Sequence, residues 1–168
     1  MTVFLLFALL LIACGSRQQA FAETAQTVVS PEEKPAQPEG VETGEEDDPV
    51  KMKVTVGETG FTATLADNEA VDALVEMMES GPVVLQMRDY ASFEKVGPLG
   101  KSLPASNRQM TTQAGDIVLY QGDQIVMFYG TNSWSYTRIG HIDDLTGWED
   151  ALGDGDVTVT FSMDNQAG

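Results

Sequence analysis

Short segments in which apolar and polar residues alternate set the strongest limit on how this chain folds. The first segment, 51–56, places three apolar residues on one side and Lys or Thr on the other, which is the period of a half-buried strand. After the turn signal Thr59-Gly60, the same alternation returns over 61–65. The two segments predict a β-hairpin that opens a folded domain at about residue 51.

The sequence that follows predicts more strands, joined by turns, and one substantial helix. Asp67 or Asn68 is a suitable N-cap for a helix that runs to about Glu79, because the residues after it are apolar on one face and acidic on the other. The clearest hairpin has apolar arms on both sides of the two-residue turn Gly122-Asp123. The other predictions are strands at 83–90, 134–139 and 157–162, a short helix at 144–152, and a mainly irregular stretch at 92–110.

About seven strands with one main helix and one short helix, all within residues 51–163, predict a mostly β fold. A sheet of this size leaves two exposed edges unless it curls until its first and last strands pair. Closure removes those edges, so we expect a small closed β-barrel.

The amino-terminal residues predict export and lipidation. Residues 3–13 form an unbroken apolar run, too short to span a bilayer but typical of the core of a signal peptide. The run ends in Leu11-Ile12-Ala13-Cys14-Gly15, which resembles the lipobox of bacterial lipoproteins. The resemblance implies cleavage before Cys14 and a diacylglycerol thioether on its sulfur, which would hold the protein on the extracytoplasmic face of a bacterial membrane. The alternative is a buried hydrophobic segment with an incidental cysteine.

The next stretch has the composition of a tether. Residues 15–49 contain nine acidic residues, two basic residues, four prolines and one aromatic residue. Such a composition buries too little apolar surface to offset chain entropy, so we expect disorder, although a binding segment for a basic partner is an alternative. The predicted organisation is a signal peptide at 1–13, the lipidated cysteine and tether at 14–50, a barrel domain at 51–163 and a tail at 164–168.

Charge and residue counts exclude several classes of function. The formal net charge of −17 excludes nucleic acid as a partner, because binding to phosphates needs clustered Lys and Arg. One cysteine and one histidine, His141, exclude a Cys-based metal cage and a two-His metal site, and we expect no metal and no cofactor. The acids at 150–156 lack the spacing of an EF-hand, so a loop is the favoured interpretation there.

Several short stretches of the domain also occur, in order, in a known family. They are Val54-Thr55-Val56 with Phe61-Thr62-Ala63-Thr64-Leu65, Glu94-Lys95 with Gly97-Pro98-Leu99-Gly100 and Leu103-Pro104, Gly115-Asp116-Ile117, Phe128-Tyr129-Gly130, and Tyr136-Thr137-Arg138-Ile139-Gly140. Together, over about 52–163, they resemble the bacterial cyclophilin-like family. The resemblance implies an eight-stranded barrel with helices at its ends, and it implies no established activity.

The resemblance raises prolyl isomerisation as an alternative function. True cyclophilins place an arginine beside an apolar proline pocket, and in the run Phe93-Glu94-Lys95-Val96 it is Lys95 that stands roughly where this arginine would be. A lysine lacks the planar guanidinium fork, and the Gln-Phe-Phe run of the cyclophilin pocket has no counterpart in this sequence. The resemblance therefore implies at most a weak isomerase.

Seven residues are candidates for ligand binding. Trp134, Tyr136 and Arg138 recur with period two, so they should form one row on the face of a strand. They are joined by Tyr129, next to the turn that precedes the row, and by Tyr90, Glu94 and Lys95, where a strand runs into the glycine-containing loop. The alternatives are packing of the barrel wall, with Arg138 paired to Asp89 or Glu94, and exposed loop charges for Glu94 and Lys95.

These observations favour a membrane-anchored binding module over an enzyme. We expect the barrel to bind a small ligand or a peptide segment without changing it. The alternatives are a weak prolyl isomerase that acts on exported chains and an accessory subunit that docks on another envelope protein. A pair of His141 with Asp143 or Asp144 could act as a general base, but no nucleophile is marked, and a capping or surface histidine is favoured.

Overall fold

The computed structural model describes residues 48–164, so the predicted signal peptide, Cys14 and most of the tether lie outside the described part. Two helices and nine strands make up the domain. They are β1 (Lys51–Val56), β2 (Thr59–Leu65), α1 (Glu69–Glu79), β3 (Val83–Tyr90), β4 (Glu94–Pro98), β5 (Arg108–Thr112), β6 (Asp116–Tyr120), β7 (Gln124–Phe128), β8 (Asn132–Ile142), α2 (Trp148–Leu152) and β9 (Val157–Met163). No helix in this part of the chain is long and apolar enough to cross a membrane.

Eight of the strands form a ring, in the order β2-β1-β9-β3-β4-β7-β6-β8, and every pairing is antiparallel. The ring closes where Leu65 of β2 pairs with Gly140 of β8. A Cβ atom on Gly140 would lie 2.5 Å from the Thr64 carbonyl oxygen, so only glycine allows the two strands this close approach. The predicted mostly β, closed barrel is confirmed.

The long strand β8 pairs with strands of the ring and also with β5, which lies outside the ring. Its carboxyl half belongs to the ring, whereas its amino half, Asn132 to Tyr136, pairs with β5. Among residues 48–164, β5 pairs with β8 alone, so the two form a two-stranded ribbon outside the ring. This ribbon becomes one side of the pocket described below.

The barrel has one apolar core inside and a smaller apolar cluster outside. Alternate residues of β6 and β7, such as Ile117 and Met127, are buried in the interior core, which α1 covers with Leu74 and its neighbours. The residues between them face outward and are buried as well. This outer cluster is formed by Val118, Val126, Phe128 and Tyr136. The near-continuous apolar sequence of these two strands is explained by burial on both faces.

Both helices were predicted, with one difference in length. Asn68 is the N-cap of α1, and its Oδ1 accepts hydrogen bonds from the backbone N–H groups of Ala70 and Val71. The second helix begins only at Trp148, later than the sequence predicts. Trp148 is buried, donates from Nε1 to the Phe128 carbonyl at 2.9 Å and meets the ring of Phe61 edge-on at 4.9 Å.

The stretch 92–110, predicted to be mainly irregular, contains two strands. β4 pairs along its length with β7 and at its start with β3, although it includes Gly97 and Pro98. A Cβ atom on Gly97 would lie 2.9 Å from Cγ of Met87, so this glycine is required by packing and does not end the strand. Pro98 is the last residue of β4, where a strand tolerates proline.

Candidate functional site

A cavity of about 700 Å³ opens on the outer face of the barrel, on the opposite side of the sheet from the interior core. Strands β3, β4, β6, β7 and β8 contribute its walls. Its lining residues are Gln86, Arg88, Asp89, Tyr90, Glu94, Val96, Pro98, Tyr120, Gln124, Val126, Asn132, Trp134 and Tyr136. The volume suits a small molecule or a few residues of an extended peptide.

Strand geometry explains why these side chains meet. Successive side chains of a strand point to opposite faces, so residues two apart share one face. β4 contributes Glu94, Val96 and Pro98, and the ribbon half of β8 contributes Trp134 and Tyr136. The intervening residues of β4 point into the barrel, which gives the pocket and the core separate sets of side chains.

The floor of the cavity is the outer apolar cluster. Tyr136 is buried there, and its ring meets those of Phe128 at 5.7 Å and Tyr120 at 5.9 Å, both with steep interplanar angles. Its hydroxyl accepts a hydrogen bond from Asn132 Nδ2 at 2.9 Å. Burial, and then the nearby negative charge of Glu94, raises the pKa of Tyr136 above its usual value. The phenol is therefore neutral at physiological pH.

Glu94 is a buried carboxylate in this pocket. The residue is only 7 % exposed, and its Oε2 atom has no hydrogen-bond partner among residues 48–164. Burial disfavours the charged form and raises the pKa of Glu94 to about 7. The side chain thus lies close to the balance between acid and carboxylate at neutral pH, with an acceptor that the rest of the domain does not satisfy.

Two large aromatic side chains stand at the rim of the cavity. Tyr90 is 61 % exposed and Trp134 is 56 % exposed, although such residues are usually largely buried. Tyr90 precedes a tight turn whose central residues, Ala91 and Ser92, have φ angles of 52° and 58°. Non-glycine residues rarely adopt this conformation, and such strain tends to occur at functional sites. The turn holds Tyr90 directly across from Glu94 in the β3–β4 register.

Comparison with known proteins agrees with this architecture. Residues 54–162 match the sequence model of the cyclophilin-like family. The chain belongs to the cyclophilin-like family. The solution structure of a hypothetical protein from Archaeoglobus fulgidus is similar, with 15 % identity and a TM-score of 0.48, and the match covers 72 % of this chain and 99 % of that one. No curated protein matches the sequence. The family match confirms the predicted cyclophilin-like domain.

Four of the seven candidate ligand residues of this cyclophilin-like domain line the cavity, namely Tyr90, Glu94, Trp134 and Tyr136. The other three, Lys95, Tyr129 and Arg138, do not. The structure therefore brings the pair Tyr90 and Glu94 into one pocket with the pair Trp134 and Tyr136, although the two pairs lie on separate segments of the sequence. The other three candidates lie outside this pocket. The alternative that Glu94 and Lys95 are exposed loop charges is wrong, because both are buried in a strand.

Lys95 points away from the pocket and is fully buried. Its ammonium group donates to Asp89 Oδ1 at 2.7 Å, to the Gly153 carbonyl at 2.7 Å and to the Gly155 carbonyl at 2.8 Å. All three ammonium hydrogens therefore have acceptors, and the loop predicted at 150–156 is attached to β4 through this side chain. In the cyclophilin-like fold of this chain, Lys95 occupies the sequence position of the isomerase arginine, but it stabilises the fold through these hydrogen bonds.

Tyr129 belongs to the same network. Its hydroxyl donates to Asp89 Oδ1, and its ring lies 5.2 Å from Lys95 Nζ. The bond from Lys95, followed by the one from Tyr129, lowers the pKa of Asp89, whereas burial and then Asp89 raise the pKa of Tyr129. Asp89 lines the cavity, so this network forms part of the wall of the pocket behind Tyr90.

Arg138 shares the row of Trp134 and Tyr136 but lies beyond the cavity. Its Nη1 donates at 2.9 Å to Asp116, a buried carboxylate that also meets His141 Nδ1 at 3.0 Å. The partner acid is therefore neither Asp89 nor Glu94, and His141 pairs with neither Asp143 nor Asp144. A β-bulge between Ile117 and Val118 shifts the register here, and the sequence pattern did not predict it.

Sequence reasoning missed several residues of the pocket, and two of them carried a usable signal. Gln86 and Arg88 lie in the predicted strand 83–90 with the same parity as Tyr90, so the period of two places them on the same face. Val96 and Pro98 were missed because β4 was not predicted. Asn132 and Tyr120 gave no signal, since only the tertiary fold brings the β5–β8 ribbon over this face.

Proposed function

We propose that the cavity on the outer face is a binding site and that the domain holds a small ligand or a peptide segment there without altering it. One observation carries this proposal: an apolar cavity combines two exposed aromatic side chains with a buried carboxylate oxygen that has no hydrogen-bond partner in the described part of the chain. Apolar surface with a few polar groups aimed into it is the usual composition of a ligand pocket. The cyclophilin-like fold is compatible with such a binding domain.

Catalysis of prolyl isomerisation has less support. The reaction needs a cation beside the prolyl nitrogen, and Lys95, which stands at that sequence position, donates its ammonium hydrogens to Asp89 and two backbone carbonyls on the other side of β4. Arg88 is the one cation among the lining residues, and it projects from β3. We therefore favour reversible binding without catalysis.

The two tryptophans of the chain provide the test. Trp134 lies at the pocket rim, whereas Trp148 is buried and donates to Phe128, so its indole N–H signal in a ¹H–¹⁵N NMR spectrum serves as an internal reference. We expect titration of the full chain with a panel of amino acids, alkylamines, carboxylic acids and proline-containing tetrapeptides to shift the Trp134 signal and leave the Trp148 signal in place.

Two results would contradict this proposal. One is a panel in which no compound moves the Trp134 signal at millimolar concentration. The other is acceleration of cis–trans exchange in the proline peptides above the rate in buffer, together with loss of that acceleration on Trp134→Ala, since the pocket would then be a catalytic site. The variant Arg138→Ala is the matched control, because Arg138 lies in the same strand face but outside the cavity.

We also propose that the mature protein is a lipoprotein held on the extracytoplasmic face of a bacterial membrane through Cys14. The support is the apolar run 3–13 and the lipobox-like Leu11-Ile12-Ala13-Cys14-Gly15. The acidic stretch 15–49 would then separate the barrel from the membrane by about 30 Å or more, as a flexible chain of this length does. Small ligands, exported peptides and envelope proteins would all be accessible to a domain placed there.

Mass spectrometry of the protein made in a bacterial host tests this proposal. We expect residues 1–13 to be absent and the mass of a diacylglycerol group to be present on Cys14. Cys14→Ser should accumulate as the uncleaved precursor without lipid, because the thioether cannot form. An unmodified, full-length wild-type chain in the cytosolic fraction would contradict the anchoring and leave the pocket proposal untouched.

A further inference from the structure

The unsatisfied oxygen of Glu94 points to the chemistry of the ligand. Glu94 lines the cavity, its Oε2 atom is buried, and none of the described residues donates a hydrogen bond to this atom. A buried acceptor without a partner costs stability, and a ligand that brings an N–H or O–H donor recovers that loss. A ligand that carries only acceptors would leave the oxygen unpaired, so the pocket selects for a donor.

No charged group of residues 48–164 forms an ion pair with Glu94, so its carboxylate is available to a cationic donor. Asp89 on β3 is already engaged by Lys95 and Tyr129, and the hydroxyls of Tyr90, Tyr120 and Tyr136 can donate or accept hydrogen bonds. Arg88, also on β3, pairs with Val96 and is thus diagonal to Glu94, yet the two side chains form no ion pair in residues 48–164. β7 contributes Gln124, which is uncharged.

The remaining surface of the cavity suits the body of such a cation. The faces of Trp134, Tyr136 and Tyr90 attract positive charge through their quadrupoles, and Val96 and Val126 provide apolar contact. The net charge of −17 also draws cations toward the protein. A quaternary ammonium group can lie against the aromatic rings but has no N–H to donate to Glu94 Oε2. A primary ammonium group can make both the contact with the rings and the hydrogen bond.

We propose that the pocket recognises a primary ammonium group on an aliphatic chain, with the nitrogen donating to Glu94 Oε2 and the chain packed against Tyr136 and Trp134. This inference rests on the proposed binding function and names the ligand class for the same site. A free alkylamine and the side chain of a lysine residue in a polypeptide share this chemistry. The first would be a small free ligand. The second would be part of an exported or envelope protein that the domain binds.

Titration of the full chain with n-butylamine, with Nα-acetyl-lysine methylamide and with a lysine-containing hexapeptide tests the inference and separates the two sources. We expect all three to shift the Trp134 indole signal, and tighter binding of the hexapeptide would assign the polypeptide source. Affinity should rise about tenfold from pH 6 to pH 8, because the pKa of Glu94 is about 7 and the amine stays protonated throughout. Glu94→Gln should weaken binding at pH 8 at least about tenfold and remove the pH dependence.

Two controls make the outcome decisive. Nα-acetyl-norleucine methylamide has nearly the same shape without the charge and should bind at least about tenfold more weakly than the lysine compound at pH 8. Arg88→Gln removes a like charge from the wall of the cavity and should strengthen amine binding, because the ammonium group is then no longer repelled. Equal affinity of the norleucine compound, or loss of amine binding in Arg88→Gln, would overturn the amine assignment. A shift of the Trp134 signal by carboxylic acids instead would overturn it as well, while the binding function itself would stand.

Discussion

Replacement of Lys95 by methionine is expected to lower the free energy of unfolding by about 3 kcal/mol, which corresponds to a loss of roughly 10–15 °C in melting temperature for a domain of this size. The ammonium group is fully buried and donates to Asp89 and to the carbonyls of Gly153 and Gly155. Methionine keeps most of the volume of the side chain but removes the ammonium donor from all three acceptors, and Asp89 Oδ1 then keeps only the bond from Tyr129. Urea unfolding followed by far-UV circular dichroism measures the change.

The matched control is Lys101→Met, because Lys101 is exposed and its loss should change stability by less than about 0.5 kcal/mol. The double variant Asp89→Asn, Lys95→Met should be no less stable than Lys95→Met alone, since the uncompensated carboxylate is then removed. Amine binding should survive in Lys95→Met, because the ammonium group lies outside the cavity. Wild-type stability of Lys95→Met would refute the structural role that we assign to this lysine.

The strand that contains Lys95, β4, is a part of the fold that the sequence pattern did not predict. The hairpins at 51–65 and 116–129 were predictable because alternation or apolar arms mark each strand. The turn Gly122-Asp123 was also predicted, but the first turn lies at Gly57-Glu58, and the predicted turn residues Thr59-Gly60 are the first two residues of β2. β4 begins with two charged residues and ends with Gly97-Pro98, which is a composition typical of a loop. It is a strand because it pairs with β7 along its length and with β3 at its start. Its buried Lys95 finds two acceptors in Gly153 and Gly155, more than fifty residues away, which no local pattern reveals.

The candidate site was partly predictable for a related reason. The period of two placed Trp134 and Tyr136 on one face, and both line the cavity. The same row includes Arg138, but its guanidinium pairs with Asp116, which the bulge between Ile117 and Val118 brings into place. Register shifts and closure of the ring depend on packing across the whole sheet, so local patterns do not reveal them.

The proposed binding function depends on the different composition of the two faces of the sheet. The interior face contains nearly all of the apolar core, so the outer face is free to hold groups that do not favour folding. Lys95 and Glu94 are adjacent residues with opposite roles: one is buried with every hydrogen satisfied, and the other is buried with an acceptor left over. A fold that is stable without the pocket can tolerate this unsatisfied carboxylate, and ligand binding is the process that would satisfy it.

Glu94 should also make the stability of the free domain depend on pH. Its pKa is about 7 in the folded protein against an ordinary value of 4.5, so between these values the folded state binds more protons than the unfolded state. Stability contributed by this group is therefore greatest at low pH and falls as the pH rises from about 4.5 to about 7. The expected loss between pH 5 and pH 8 is roughly 2–3 kcal/mol.

Glu94→Gln tests this expectation, because glutamine keeps the shape of the side chain and stays uncharged at every pH. Relative to the wild type, the variant should gain roughly 2–3 kcal/mol of stability between pH 5 and pH 8 in urea unfolding without ligand. Glu58→Gln, in the exposed turn between β1 and β2, should show no such gain and corrects for the loss of one negative charge. If wild type and Glu94→Gln respond equally to pH, the carboxylate already has a partner in solution. The pocket would then lack the unsatisfied acceptor from which we infer its preference for amines.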